Sequence, residues 1–351
     1  MTVGRKTIAL NDSTRIDPTD NETRKILLSI YYPSEAFGFE SKYISMFEPC
    51  TPLAIDMLTN MGVNNEYITK LVTGICNNAA VRKDTGNCPV ILLSPAFGVV
   101  RDMYSYCVEH LVNCGFIVIA IGATHESIFS IFPDGSFLHQ STEISDIDSL
   151  DIQAWKGLLK LRVDDVNYVI SHVDEILDSV ENLGAIVDLN KMGIIGHSLG
   201  GATAYEVLNK ESKVKAGILL DPSFHLMNAD SKATNNSLLV IRQEKCSAEE
   251  LDGEISKDLL PLLLEGYNTL YHTSDHNSFY LKLRGAHHMT FSDIPIHYQE
   301  EGIELYHSIV NKYISAFFDE HFNTDNLNFQ KLMISKSIDG IDEINSKGQV
   351  Q

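Results

Sequence analysis

One stretch of the sequence decides the fold, Met192-Gly193-Ile194-Ile195-Gly196-His197-Ser198-Leu199-Gly200-Gly201-Ala202-Thr203-Ala204. Its first residues are typical of a buried strand, and the small residues after Leu199 are typical of a helix that packs closely on a sheet. The pattern G-x-S-x-G joins the two, with Ser198 at its centre. A serine at the apex of a tight strand-to-helix turn needs glycines on both sides, since larger side chains would collide. The stretch therefore predicts a strand, a sharp turn and a helix, with the Ser198 hydroxyl lifted out of the sheet.

Strands and helices alternate on both sides of this turn. The apolar patterns predict strands at 6–10, 24–32, 90–94, 116–121, 191–195, 216–220, 238–242 and 279–283. They predict helices at 103–113, 153–180, 199–209, 259–264 and 299–318, and a hairpin at 127–140. Alternation of this kind predicts an α/β fold with a mostly parallel central sheet and helices on both faces.

The chain is expected to form one domain. We place this α/β domain at residues 1–320 and a peripheral, polar C-terminal tail at 321–351. Two apolar stripes at helical spacing predict a small helical cap insertion at about residues 50–76. Two interpretations of these helices stay open, because they could pack on the domain or cover a cleft and shape a pocket there.

Composition and charge exclude several classes of protein. The chain has 351 residues, of which 44% are hydrophobic, so wholesale disorder is excluded. With 47 acidic and 27 basic residues the net charge is −20, which disfavours nucleic-acid binding. No apolar run is long enough for an integral membrane segment. The six cysteines form no C-x-x-C pair, and no secretory signal is visible, so we expect a cytoplasmic protein; a processed secreted form is the alternative.

A nucleophilic serine needs a base, and the base needs an acid that orients it. In folds with this turn the chain order is serine, acid, histidine, so the partners of Ser198 should follow it. Asp221 ends one predicted strand and Glu244 lies just beyond the end of the next. His287 and His288 both follow the last core strand. The spacing alone leaves two acids and two histidines open.

Metal and nucleotide sites have little support in the sequence. His272 and His276 are four residues apart, but no H-E-x-x-H pattern is present and the segment is predicted as a loop. Asp146-Ile147-Asp148 lacks the rest of a calcium loop. Gly98 and Gly115 do not form a dinucleotide-binding pattern. We therefore expect no metal and no cofactor.

Several segments together carry a resemblance to a known family. They are Ile195–Thr203, Gly217–Asp221, Arg284–Phe291, Cys114–Val118, Leu28–Pro33 and Ser94–Arg101. These segments resemble the platelet-activating-factor acetylhydrolase family, in its plasma type and bacterial relatives. The resemblance covers about residues 3–295 and is strongest around the serine and the histidine.

The resemblance implies an α/β-hydrolase fold and calcium-independent hydrolysis of short or oxidised acyl esters of phospholipids. It selects Asp221 over Glu244 and His288 over His287 as the partners of Ser198. It also implies that the backbone N–H of Phe97 helps to bind the oxyanion, whereas the N–H of Leu199 follows from the geometry of the turn.

The sequence departs from the family at the oxyanion strand end. Ser94-Pro95-Ala96 stands where family members often have S-H-G, so the assignment of Phe97 depends on the alignment. Pro95 has no N–H to donate.

The leading hypothesis is a serine carboxylic-ester hydrolase whose partner is a small ester or phospholipid-like substrate. One alternative is a short-chain or polyester esterase without a phospholipid role, and another transfers the acyl group to an alcohol other than water. A non-catalytic ligand-binding protein of the same fold is a third alternative, although a protein that only binds has no need for all three residues. The sequence does not predict the oligomeric state.

Overall fold

The computed structural model describes residues 2–36, 38, 40–227, 236–274, 277–323, 326–335 and 338–351. Within these residues the strands are β1 (Val3–Ile16), β2 (Thr23–Pro33), β3 (Ser41–Lys42), β4 (Val72–Thr73), β5 (Ile75–Asn77), β6 (Cys88–Ser94), β7 (Ile117–Ile121), β8 (Phe129–Ile131), β9 (Phe137–His139), β10 (Val187–His197), β11 (Val214–Leu220), β12 (Ser237–Arg242), β13 (Ser278–Leu283) and β14 (Ile341–Glu343).

The helices alternate with these strands as predicted. They are α1 (Thr51–Asn60), α2 (Asn65–Ile68), α3 (Ser105–Asn113), α4 (Thr142–Ser145), α5 (Ile152–Ser171), α6 (Val173–Asp178), α7 (Leu199–Lys210), α8 (Ala248–Leu251), α9 (Leu259–Thr273), α10 (Ile294–His297), α11 (Ile303–Phe322) and α12 (Asn328–Ser335). Short 3₁₀ segments lie at Tyr43–Phe47, Gly184–Ile186, Phe224–Leu226 and His288–Phe291.

Ten strands form one central sheet in the order β14-β13-β12-β11-β10-β6-β7-β2-β1-β5. Six adjacent strands pair in parallel, namely β13, β12, β11, β10, β6 and β7. On either side of these six, β14 pairs with β13 and β2 pairs with β7, both antiparallel. The mostly parallel sheet predicted from the sequence is thereby confirmed. Because parallel strands end at one edge, residues that follow them in sequence converge there.

Helices cover both faces of the sheet. Successive strand residues point to opposite faces, and β6 shows this in its side chains. Ile91 and Leu93 belong to one apolar cluster, which includes side chains of α3 and α11. Val90 and Leu92 belong to the other, which includes side chains of α5 and α7. The sheet is therefore buried on both faces, as its near-continuous apolar strands predicted.

Some predicted elements differ in length or type. Residues 70–77 include the short strands β4 and β5 instead of the end of a helix, since β5 pairs with β1. The helix predicted at 153–180 is divided at His172, and α9 extends to Thr273, well beyond the predicted 264. His272 thus lies on a helix instead of a loop, and His276 lies outside the described residues.

The C-terminal segment is more closely joined to the domain than a peripheral tail would be. Phe329 on α12 is completely buried and packs against Phe317 and Tyr313 of α11. Strand β14 extends the central sheet at the edge of β13. Phe329, Leu332 and Met333 have the i, i+3, i+4 spacing of a helix that packs on one face, and this short pattern was the signal that could have predicted α12.

Candidate active site

Ser198 lies at the turn between β10 and α7. Its backbone has φ 56° and ψ −119°, in the left-handed region that is strained for a residue with a side chain. A Cβ on Gly196 would lie 1.9 Å from the carbonyl oxygen of Gly200. A Cβ on Gly200 would lie 2.1 Å from the carbonyl oxygen of Ser94. Both glycines are therefore required by close backbone contacts, which is the steric reason given for the G-x-S-x-G pattern.

Asp221 and His288 lie beside this turn. β11 pairs with β10 in parallel, and the N–H of Ser198 donates to the carbonyl of Leu220 at 3.0 Å, so Asp221 begins the loop next to the serine. His288 follows β13 in a 3₁₀ segment and its Nδ1 lies 2.6 Å from Asp221 Oδ2. Since a carboxylate can only accept, Nδ1–H donates, which leaves Nε2 of the ring free to act as a base.

The two other sequence candidates have different partners. His287 Nε2 lies 2.9 Å from the carboxylate of Glu300, on the exposed side of the loop. Glu244 accepts a hydrogen bond from the N–H of Gly285 at 3.0 Å. The structure thus brings Asp221 and His288 together, and it does not bring Glu244 or His287 into that pair.

The electrostatic surroundings of Asp221 favour its charged form. Burial by itself raises the pKa of this carboxyl, but the hydrogen bond and charge of His288 and the charge of Arg242 outweigh burial and hold the pKa below 3.8. Arg242 Nε lies 3.9 Å from Asp221 Oδ1. The Arg242 guanidinium is stacked 4.9 Å from the centre of the Phe224 ring and 4.5 Å from that of Tyr267. These rings and the buried position hold the cation in place beside the acid.

Arg242 is a residue that the sequence analysis missed. It ends β12, whose preceding residues are almost all apolar, and β12 is the neighbour of the strand that leads to Asp221. A single cation at the carboxyl end of a buried strand was the signal that could have found it.

Ser198 and His288 line a cavity of about 330 Å³. The other lining residues include Asp221, Arg242 and a set of apolar side chains, Phe224, Leu251, Ile255 and Leu263. Among the lining residues that the structure describes, none comes from the insertion at 50–76, whose Ala54 and Leu58 are buried in the core instead. This favours the interpretation in which these helices pack on the domain.

The backbone N–H groups of Phe97 and Leu199 are the oxyanion donors predicted from the sequence. Pro95 has no N–H, and the N–H of Ala96 donates to the Tyr104 hydroxyl at 2.8 Å. Within the described part of the chain, neither the Phe97 N–H nor the Leu199 N–H has a hydrogen-bond partner.

One group of side chains has the spacing of a metal site. Ligand atoms of Asp17, Asp20 and His125 lie within 4.8 Å of one another. The buried Arg24 forms an ion pair with Asp17, so a cation is already present at the group. This group includes no residue of the Ser198 cavity.

The fold and the arrangement of Ser198, Asp221 and His288 define the class of α/β-hydrolases. A solved structure of similar fold is the ferulic acid esterase from Streptomyces cinnamoneus, with a TM-score of 0.73 and 24% identity; the match covers 91% of this chain and 90% of that chain. A likeness at this identity shows the fold alone.

The chain belongs to the platelet-activating factor acetylhydrolase, isoform II, family, whose model matches residues 152–343. It is similar to the platelet-activating factor acetylhydrolase of Cavia porcellus, with 26% identity over 219 residues, 56% of this chain and 49% of that protein. It is also similar to a probable 1-alkyl-2-acetylglycerophosphocholine esterase of Arthroderma benhamiae, with 21% identity over 232 residues, 62% of this chain and 56% of that protein. The chain spans about half the length of the curated relatives it matches. No helix among the described residues is long and apolar enough to cross a membrane.

Proposed function

We propose that this protein is a serine ester hydrolase that cleaves short or oxidised acyl esters of phospholipid-like substrates through an acyl-enzyme. The observation that carries the proposal is the 2.6 Å contact between His288 Nδ1 and Asp221 Oδ2 at the cavity that Ser198 lines. The relatives named platelet-activating factor acetylhydrolase and 1-alkyl-2-acetylglycerophosphocholine esterase support the substrate class.

The proposed reaction begins when Ser198 Oγ attacks the ester carbonyl while His288 Nε2 takes the hydroxyl proton. Asp221 holds the ring in the tautomer that leaves Nε2 unprotonated, and it stabilises the cation that then forms. The N–H groups of Phe97 and Leu199 would bind the oxyanion, at roughly 3–4 kcal/mol for each donor in comparable enzymes.

Two further steps complete the turnover. The first half of the reaction ends when His288 gives its proton to the leaving alcohol and the acyl group stays on Ser198. In the second half His288 takes a proton from water while the water oxygen attacks the acyl carbon, and it then gives that proton to Ser198 Oγ as the second tetrahedral intermediate releases the free acid. Every proton that moves passes through Nε2 of one histidine, so no metal and no cofactor is needed.

Size and chemistry of the cavity support an acyl group of modest length. The cavity of about 330 Å³ lies at the lower end of the range for small-molecule sites. Leu251, Ile255 and Leu263 give it an apolar wall, which suits a hydrocarbon chain.

Labelling with a fluorophosphonate probe tests the nucleophile. The wild-type protein should be labelled and should hydrolyse p-nitrophenyl acetate. Ser198→Ala should lose both the labelling and the hydrolysis, because the substitution removes the attacking Oγ and leaves the rest of the side chain in place. Ser237→Ala is the matched control, since Ser237 is a buried serine at the start of β12, two strands from β10 and at the opposite edge of the sheet from Ser198. More than a few per cent of activity left in a folded Ser198→Ala variant would exclude Ser198 as the nucleophile.

A substrate series tests the finer part of the proposal. We expect turnover of p-nitrophenyl esters to fall from acetate to palmitate, and an oxidised phospholipid to be cleaved beside them. Turnover of the simple esters without cleavage of the phospholipid would favour a general esterase. A wild-type protein that the probe does not label would favour a protein that only binds a ligand.

A further inference from the structure

His197 precedes the proposed nucleophile and takes no part in the proton transfers described above. Its side chain is 1% exposed, and both of its ring nitrogens have partners. Nδ1 lies 3.1 Å from the hydroxyl of Tyr104, and Nε2 lies 2.9 Å from the backbone carbonyl of His288. A buried residue directly before Ser198 thus contacts the backbone of the proposed base.

Ala96, Tyr104, His197 and the carbonyl of His288 form a hydrogen-bond chain, and the direction of each bond follows from the groups at its two ends. The His288 carbonyl can only accept, so His197 Nε2–H donates to it, and in the neutral ring Nδ1 then accepts from the Tyr104 hydroxyl. The Tyr104 oxygen in turn accepts from the N–H of Ala96 at 2.8 Å. Burial, and secondarily the charge of His288, lowers the pKa of His197 to about 3, which keeps the ring neutral.

The two ends of this hydrogen-bond chain lie in the two loops that the proposed reaction needs. Ala96 directly precedes Phe97, whose N–H is one proposed oxyanion donor. The carbonyl at the other end belongs to His288 itself. Tyr104 is 2% exposed, so water does not compete for these bonds. Arg162 holds the same loop from the other side, since its Nη1 donates to the Pro95 carbonyl at 2.5 Å.

We propose that His197 and Tyr104 are positioning residues that fix the distance between the oxyanion donor at Phe97 and the base at His288. This inference rests on the proposed function. The bond to the His288 carbonyl sets the backbone of the base, while the bond from Ala96 ties the residue before Phe97 to Tyr104. A displacement of about 1 Å between such groups can cost about 100-fold in rate.

Tyr104 and Tyr106 offer a matched pair of variants. Tyr104 is buried directly before α3, and Tyr106 is partly buried in its first turn. Within the described residues the Tyr106 hydroxyl has no hydrogen-bond partner, and its ring stacks on His307 at 3.6 Å. Each Tyr→Phe change removes one oxygen. We expect Tyr104→Phe to lower kcat for p-nitrophenyl acetate by about 10-fold to 100-fold with little change in KM, and Tyr106→Phe to keep the wild-type rate.

The rate of fluorophosphonate labelling separates positioning from folding. A structural defect lowers the fraction of protein that is labelled, whereas a misplaced oxyanion loop lowers the rate constant of labelling in the folded fraction. We expect Tyr104→Phe and His197→Phe to be labelled completely but about 10-fold to 100-fold more slowly. Because Tyr104 and His197 act through one hydrogen-bond chain, the double variant should be labelled no more slowly than the slower single variant.

Three results would overturn the inference. The first is labelling of Tyr104→Phe at the wild-type rate, and the second is a loss of labelled fraction with an unchanged rate constant. The third is a double variant in which the effects of the two substitutions add, because that would contradict a shared hydrogen-bond chain. If the wild-type protein were not labelled at all, the proposed function would fail first, so the two failures are distinguishable.

Discussion

The carboxylate of Glu244 accepts a hydrogen bond from the backbone N–H of Gly285, at 3.0 Å. The Glu244 N–H also donates to the carbonyl of Ala286 at 2.9 Å. Glu244 is therefore bound to the backbone of the loop that carries His288, and not to the imidazole of His288. The imidazole is held by Asp221, so the two acids that the sequence left open have different structural roles.

We predict that Asp221→Asn is nearly inactive and that Glu244→Gln is close to wild type. An asparagine leaves His288 in a mixture of tautomers, and the equivalent change in a protease triad costs about 10⁴ in rate. The amide that replaces the Glu244 carboxylate keeps an oxygen that can accept from Gly285. The measurement is kcat with p-nitrophenyl acetate, and thermal melting checks that both variants fold. The reverse ranking in folded variants would assign the acid to Glu244.

The sequence predicted the parts of this site that depend on contacts between residues close to each other in the chain. The turn at Ser198 was predictable because the collisions that select Gly196 and Gly200 are local, and the pattern of apolar residues predicted the sheet. The choice of His288 over His287 depended on the family resemblance, since these two neighbours are at almost the same distance along the sequence from Ser198 and from Asp221.

Long-range contacts were beyond the sequence. Arg242 reaches Asp221 from a neighbouring strand, and Tyr104 reaches His197 from 93 positions away. Neither has a local pattern that marks its partner. The short strand β5 was predicted as the end of a helix for a similar reason, because its pairing with β1 is fixed by residues far away in the chain.

We predict that removal of metal ions leaves esterase activity unchanged. The proposed reaction uses one serine, one histidine, one aspartate and backbone N–H groups, and none of them needs an ion. Activity should be measured before and after dialysis against EDTA. Loss of turnover that zinc or calcium restores would contradict the mechanism. A change in melting temperature alone would instead point to the group Asp17, Asp20 and His125.

We predict that Arg242→Gln shifts the acid limit of activity to higher pH. The charge of Arg242 is one of the causes that lower the pKa of Asp221. The hydrogen-bonded pair Asp221–His288 must hold a single proton in the active state, and removal of a neighbouring cation lets the pair take up a second proton at higher pH. Arg242→Lys keeps the charge and is the control. The pH profile of kcat/KM should move for the glutamine variant and much less for the lysine variant, together with about a 10-fold loss of kcat for the glutamine variant. Equal profiles for Arg242→Gln and wild type would mean that Arg242 acts only through packing on Phe224 and Tyr267.

Asp293 offers a test of stability that is separate from activity. It is completely buried, and its Oδ2 accepts from the N–H of Ser105 at 2.8 Å and from the hydroxyl of Tyr43 at 3.1 Å. Among the described residues its Oδ1 has no partner. Burial outweighs the hydrogen bonds and raises the pKa of this carboxyl to about 6. A protonated carboxyl is thus favoured by the fold.

We predict that Asp293→Asn becomes more stable relative to wild type as the pH rises from 4 to 7. A folded-state pKa above the usual 3.8 means that the stabilising contribution of Asp293 is complete below about pH 4 and is lost as the pH rises through about 6. Asparagine stays neutral throughout. A shift of this size corresponds to about 3 kcal/mol, or about 4 °C in melting temperature for a chain of this length. The difference in melting temperature between the two proteins should be measured at pH 4, 5, 6 and 7. A difference that stays constant over this range would show that Asp293 has the same protonation state in the folded and unfolded chain.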